Sequence, residues 1–244
     1  MKNDEDVIQV SRLTKKYGSF LAADDVSFSV AEGEICGLIG RNGAGKTTIM
    51  KMLLNLVKPT SGDMRILGKG MQDGLEEERR KIGSIIETPA FYDSLTAYEN
   101  LKIRGLLIGH SKEEELQKAL KEVGLDAKRN VKVKKYSLGM RQKLGIACAL
   151  LGEPKILLLD EPINGLDPIA IREIRQVLEN VVKKYHTTIL ISSHILEELS
   201  KIATKYVFIS DGKVIKQVKA SEISCKGNEL EEYFVSLVGG GSDE

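Results

Sequence analysis

The stretch Gly40-Arg41-Asn42-Gly43-Ala44-Gly45-Lys46-Thr47-Thr48 has glycine, lysine and hydroxyl residues at the spacing of a phosphate-binding loop. Glycines let a backbone wrap an anion, free N–H groups at a helix start point inward, and the helix dipole favours negative charge. Lys46 is placed to reach β- and γ-phosphates, and Thr47 to hold Mg²⁺. A second set is the acid pair Asp160-Glu161, which ends the apolar run Ile156-Leu157-Leu158-Leu159. One carboxylate at a strand tip can join a Mg²⁺ shell, and the next can face a water. Both sets point to phosphoryl transfer from a nucleotide.

These residues need elements to position them. Ile35–Ile39 reads as a buried strand before the loop, and Thr47–Leu56 has helical spacing, with Ile49, Leu53 and Leu56 on one side. The first thirty residues read as antiparallel strands: Ile8, Val10 and Leu13, then Val26–Val30 with period two. Pro59–Asp63 reads as a turn before a strand at Met64–Leu67. Ser111–Glu114 matches a capping box, and Leu116, Ala119, Leu120 and Val123 continue that helix to a stop at Gly124. Asp167-Pro168 reads as cap and first residue of a helix with Ile171, Ile174, Leu178 and Val181 on its apolar face. A strand covers Thr187–Ser192 and a helix starts at Ile195. Asp211-Gly212 marks a hairpin. The fold class is therefore α/β: a P-loop NTPase core of mainly parallel sheet with an N-terminal antiparallel β-subdomain and a helical insertion. Residues 1–238 read as one domain, with the core at about 1–90 and 151–220 and the helical part at about 90–150. Residues 239–244 read as a disordered tail.

Composition narrows the class. The chain has 244 residues, is 42% hydrophobic and 29% charged, and carries a net charge of +1, which argues against a nucleic-acid surface. Cys36, Cys148 and Cys225 form no CxxC pair, so a reducing compartment is expected, with Cys36 and Cys148 as core residues. The polar, acidic start Met1–Asp6 is unlike a signal peptide. No apolar run approaches the roughly 18 residues of a membrane span, so a membrane partner would be a separate chain. His110 and His186 read as surface residues.

Beyond these residues the chain resembles the ATP-binding subunit of ABC transporters over roughly residues 7–220. Lys46 and Thr47 match Walker A, Asp160-Glu161 matches Walker B with its catalytic glutamate, and Asn164-Gly165-Leu166-Asp167 matches the D-loop. Ser192-Ser193-His194 matches the switch-histidine loop, and Tyr17 the aromatic residue that stacks on adenine. Tyr136-Ser137-Leu138-Gly139-Met140 occupies the signature position, with Leu138 where the family has glycine. Glu87 stands at the Q-loop glutamine position. Ionised glutamate offers only acceptors where glutamine offers both acceptor and donor. Both departures resemble the ATPases of bacitracin and lantibiotic self-protection transporters.

The resemblance implies an ATP- and Mg²⁺-dependent ATPase. Lys46, Glu161 and His194 would be catalytic; Thr47, Glu87 and Asp160 would serve the metal. Tyr17, the loop Gly40, Arg41, Asn42, Gly43, Ala44, Gly45, Lys46, Thr47 and Thr48, together with Ser137, Gly139 and Asp167, would bind nucleotide. Ser137 and Gly139 would face the nucleotide of a second, identical subunit. A permease on a separate chain would meet the region of Phe91, Tyr92 and Leu95, placing the protein on the cytoplasmic face of the membrane; the alternative for these three side chains is packing in the core of the helical insertion. Residues 221–238 resemble a variable tail in which Leu230, Phe234, Val235 and Leu237 form a short amphipathic helix. The alternative is a soluble ABC-type ATPase acting on nucleic acid or the ribosome. The short spacing from Lys46 to Ser137 leaves no room for the coiled coils of chromosome-type members, and one ATPase unit is fewer than translation-type members carry. A P-loop kinase or GTPase has no use for the signature and His194 segments, and a binding-only module no use for Asp160-Glu161.

Overall fold

A computed structural model describes residues 6–223 and 229–239. The readings made for Met1–Glu5, for Cys225 and for 240–244 fall outside the described residues. In chain order the elements are β1 (Asp6–Tyr17), β2 (Phe20–Ala31), β3 (Ile35–Ile39), α1 (Lys46–Leu53), β4 (Ser61–Ile66), β5 (Lys69–Gly70), α2 (Glu76–Arg79), β6 (Ile82–Ile85), α3 (Ala97–Ile108), α4 (Glu113–Glu122), α5 (Leu138–Leu150), β7 (Ile156–Asp160), α6 (Pro168–Tyr185), β8 (Thr188–Ser193), α7 (Leu196–Ser200), β9 (Lys205–Ser210), β10 (Lys213–Lys219) and α8 (Glu229–Gly239).

They form an antiparallel sheet, β2-β1-β4-β5, and a six-stranded sheet, β10-β9-β3-β8-β7-β6. The second is parallel except for the edge strand β10. Strands β3, β7 and β8 are buried along their whole length, which explains why they read as unbroken apolar runs rather than alternating ones. Their successive side chains enter opposite cores. Leu157 and Leu159 of β7 join Ile174 and Leu178 of α6 and Leu144 of α5. Ile156 and Leu158 join Ile49 and Leu53 of α1 and Val26, Phe28 and Val30 of β2. One sheet thus holds α1 and the antiparallel layer on one face and the longer helices on the other.

Several boundaries depart from the sequence reading. Helix α1 ends at Leu53, and Leu56 is exposed beyond it. Strand β4 begins at Ser61, inside the expected turn. Helix α4 is capped one residue later than the Ser111 box implies: Lys112 is the N-cap, and its amide donates to Glu115 at 3.2 Å. His110 is half-buried rather than a free surface residue, with Nδ1 3.2 Å from Glu115 Oε1. Helix α8 includes Gly239, the first residue of the expected tail. It buries Leu230 and Phe234 but leaves Val235 exposed, and the Phe234 ring stacks on Phe208 with centroids 5.9 Å apart.

Candidate nucleotide site

Three strand ends build the site. Register aligns Asp160 of β7 with Ser192 of β8, and Ile39 of β3 with Ser193. The loop after β3 and the acids after β7 therefore emerge side by side at the carboxyl edge of the sheet, where α/β sheets bind ligands.

The phosphate loop is tightly confined. Gly45 has φ +104, and a Cβ there would lie 2.3 Å from the Ala22 carbonyl oxygen. Only glycine fits both the conformation and the space. The turn between β9 and β10 braces the loop from outside: Gly212 N–H donates to Ala44 O at 3.2 Å, and Gly212 O accepts from Asp24 N–H at 2.8 Å. Lys46 is buried, and its Nζ donates to Gly40 O (2.7 Å) and Arg41 O (3.2 Å). An ammonium has three protons, so one remains for a group lying over the loop. Glu161 Oε1 stands 3.5 Å from Lys46 Nζ and is buried without a hydrogen bond.

Asp160 is buried, and both its oxygens are engaged. Thr47 Oγ1 donates to Oδ2 at 2.7 Å, and Ser192 Oγ donates to Oδ1 at 2.6 Å. Two hard oxygen ligands on adjoining elements suit Mg²⁺, which takes one or two protein oxygens and completes its shell with water and phosphate. The residues present therefore fit the metal. Glu161 follows with φ +49, a left-handed conformation uncommon outside glycine. Its amide donates to Ser192 Oγ at 2.9 Å, and its Oε2 lies 2.7 Å from His194 Nδ1. Lys46, Glu161 and His194 thus form one connected line.

Other expected residues lie elsewhere. Glu87 is not joined to Thr47 and Asp160: its carboxylate is bound to Lys51 Nζ at 2.6 Å. Tyr17 is exposed at the end of β1, with Lys15 Nζ 4.9 Å from its ring centroid. Ser137 caps α5 by accepting from Met140 N–H at 3.2 Å, and Asp167 caps α6 by accepting from Ile169 (3.0 Å) and Ala170 (2.9 Å). Those caps adjoin because Gly139 packs on Ala170, where a Cβ on Gly139 would approach to 2.8 Å. No hydrogen bond or ion pair among the described residues links this second cluster to Lys46 or Asp160. Sequence reasoning missed Ser192 as an Asp160 partner, Lys51 as a Glu87 partner, and Gly212 as a brace. Ser192 stood beside His194 in a matched motif, a signal that was available. Lys51 and Gly212 carried none.

The model of the ABC transporter family matches residues 23–164. The chain belongs to the ABC transporter ATP-binding family. It is 45% identical over 232 residues to the bacitracin transport ATP-binding protein BcrA of Enterococcus faecalis, covering 95% of this chain and 75% of that one. It is 43% identical to the lantibiotic transport ATP-binding protein SrtF of Streptococcus pyogenes, covering 93% and 96%. A solved "dimeric structure of a post-hydrolysis state of the ATP-binding cassette MJ0796 bound to ADP and Pi" superposes with a TM-score of 0.76 at 25% identity, covering 87% of this chain and 98% of that one. The ABC ATPase chain described here is thus an ATP-binding and ATP-hydrolysing subunit, and the α/β P-loop fold expected from its sequence is the one observed.

Proposed function

We propose that this chain is the Mg²⁺-dependent ATPase of an exporter for a peptide antibiotic of the bacitracin or lantibiotic class, acting as a homodimer beneath a separate permease. The names of the relatives support the cargo class, and the dimeric cassette supports the assembly. The relatives are named as transport ATP-binding proteins, which supports a permease on another chain and a peripheral, cytoplasmic place for this one; no helix among the described residues is long and apolar enough to cross a membrane. Residues 97–150 carry the three helices α3, α4 and α5, which act as the helical part of a single ATPase domain.

The observation that carries the reading is the line Lys46–Glu161–His194 beside the pair Thr47–Asp160. Mg²⁺ held by Thr47 and Asp160 would offset charge on the β- and γ-phosphate oxygens. Lys46 and the loop amides bind the same phosphates. Glu161 Oε2 accepts a hydrogen bond from the attacking water and takes its proton as the new P–O bond forms and the β–γ bridge breaks. His194 Nδ1 holds that carboxylate in place. Tyr17 stacks on the adenine, and Ser137, Gly139 and Asp167 close over the nucleotide of the partner subunit. Phe91 and Tyr92 line a groove of about 390 Å³ with Pro89, Ile103 and Leu107, which receives the permease; Leu95 does not line it.

The Glu161→Gln variant tests this. Turnover should fall by about two to four orders of magnitude, as loss of a general base does, while ATP-dependent dimers persist in sizing experiments. Near-normal hydrolysis would remove Glu161 from its role, and a fully active monomer would remove the dimer.

A further inference from the structure

Strand β6 runs into the loop that carries Glu87, and this loop touches two helices. Glu87 has φ +64, a backbone conformation that a residue with a Cβ adopts at a cost. Its Oε1 is 2.6 Å from Nζ of Lys51, which lies one helical turn beyond Thr47 on α1. The bond to Glu87 is the main influence keeping the Lys51 ammonium protonated, and Tyr17 and Asp160 act on it in the same direction. Lys51 thus sits within the electrostatic reach of the nucleotide pocket. Two residues past Glu87, Pro89 packs on α5, the helix that Ser137 begins: a Cβ on Gly145 would meet Pro89 Cγ at 2.7 Å. Among the described residues, Lys51–Glu87 is the one salt bridge between α1 and this loop.

We propose that Lys51 is a positioning residue that competes with the metal for Glu87, holding the carboxylate off the Thr47–Asp160 pair until Mg²⁺ and nucleotide arrive. The inference rests on the reading that Thr47 and Asp160 hold Mg²⁺. Chemistry supports an exchange. Lys51 is 31% exposed and Glu87 67%, so their pair is weak and can be given up. A deeply buried pair would not let go, because separation strands a charge. A carboxylate oxygen can accept from an ammonium or ligate a hard divalent cation, but the same lone pairs cannot do both at once. Since Glu87 and Pro89 share one short loop, the exchange is felt at α5.

The experiment titrates Mg²⁺ against binding of a fluorescent, non-hydrolysable ATP analogue to the full chain. Lys51→Met should lower the half-saturating Mg²⁺ concentration about two- to five-fold, the size expected for one partly exposed ion pair. Lys51→Gln should do the same, and Lys51→Arg should restore the original midpoint. In a Glu87→Gln background, Lys51→Met should shift nothing. An unmoved midpoint in both neutral variants, or an equal shift in the Glu87→Gln background, overturns the competition. Binding that ignores Mg²⁺ and is untouched by Asp160→Asn overturns the metal site itself, and the proposal with it.

Discussion

Ser192 has the densest role of any small residue in the site. Its hydroxyl donates to Asp160 Oδ1 and accepts from the Glu161 amide, so it fixes together the two acids proposed as metal ligand and general base. The two acids are adjacent, yet their side chains take different partners because Asp160 ends β7 while Glu161, just beyond it, turns into the left-handed region. Replacing Ser192 with alanine leaves one oxygen of a buried carboxylate without its donor, which costs about 1–3 kcal/mol. The expected result is a lower midpoint in urea unfolding and a turnover loss larger than the loss of ATP affinity, read from kcat and KM separately. Equal losses in both would mean that Ser192 serves only the fold.

The α5/α6 junction sets a second test. Gly139 belongs to the signature segment, which suggests a nucleotide contact, but it is also the point where α5 meets Ala170 at the start of α6. Adding a methyl there overpacks the junction, at about 1–3 kcal/mol. Gly139→Ala should therefore lower the melting temperature, and adding Ala170→Gly should restore it. If the repaired double variant hydrolyses ATP normally, Gly139 acts through packing; if it folds but fails to dimerise with ATP, Gly139 acts across the interface. At this scale the sequence was readable wherever a local signal matched a local need. The buried strands around Leu38, Leu158 and Leu190, the Asp167 cap and the Asp211-Gly212 hairpin are of that kind. Glu87, Lys112 and Leu56 were not. Glu87 is directed by a long-range partner on α1, the cap at Lys112 depends on a one-residue choice between neighbouring glutamates, and the early end of α1 follows from the turn at Leu54 and Asn55. The tight geometry of the Gly40–Thr48 loop was legible for the opposite reason, since glycines and a lysine at fixed spacing leave few alternatives.

Cys36 reports on the whole molecule because it is fully buried, whereas Cys148, expected in the core, is only half-buried and lines the groove beside Phe91. Burial pushes both the Cys36 and Cys148 thiols from about 9 up to about 12. Reaction with iodoacetamide needs the thiolate. Native protein at pH 8 should therefore leave the fully buried Cys36 unlabelled by mass spectrometry, and its labelling should rise with urea in step with unfolding. Labelling without denaturant would reveal opening of the core. The sign of the pH effect also follows. Below about pH 9 the thiols are neutral in folded and unfolded chains alike, and stability is unaffected. Between about 9 and 12 only the unfolded chain ionises, so stability falls as pH rises through that window.

The contact of Gly212 with Ala44 on one side and Asp24 on the other makes a rivet of the turn between β9 and β10. Three distant stretches of chain are pinned at one spot, on the rim of the nucleotide pocket. A residue inserted into that turn would do more than lengthen a surface hairpin. It would unfasten the seam between the two sheets directly behind the loop that Lys46 closes.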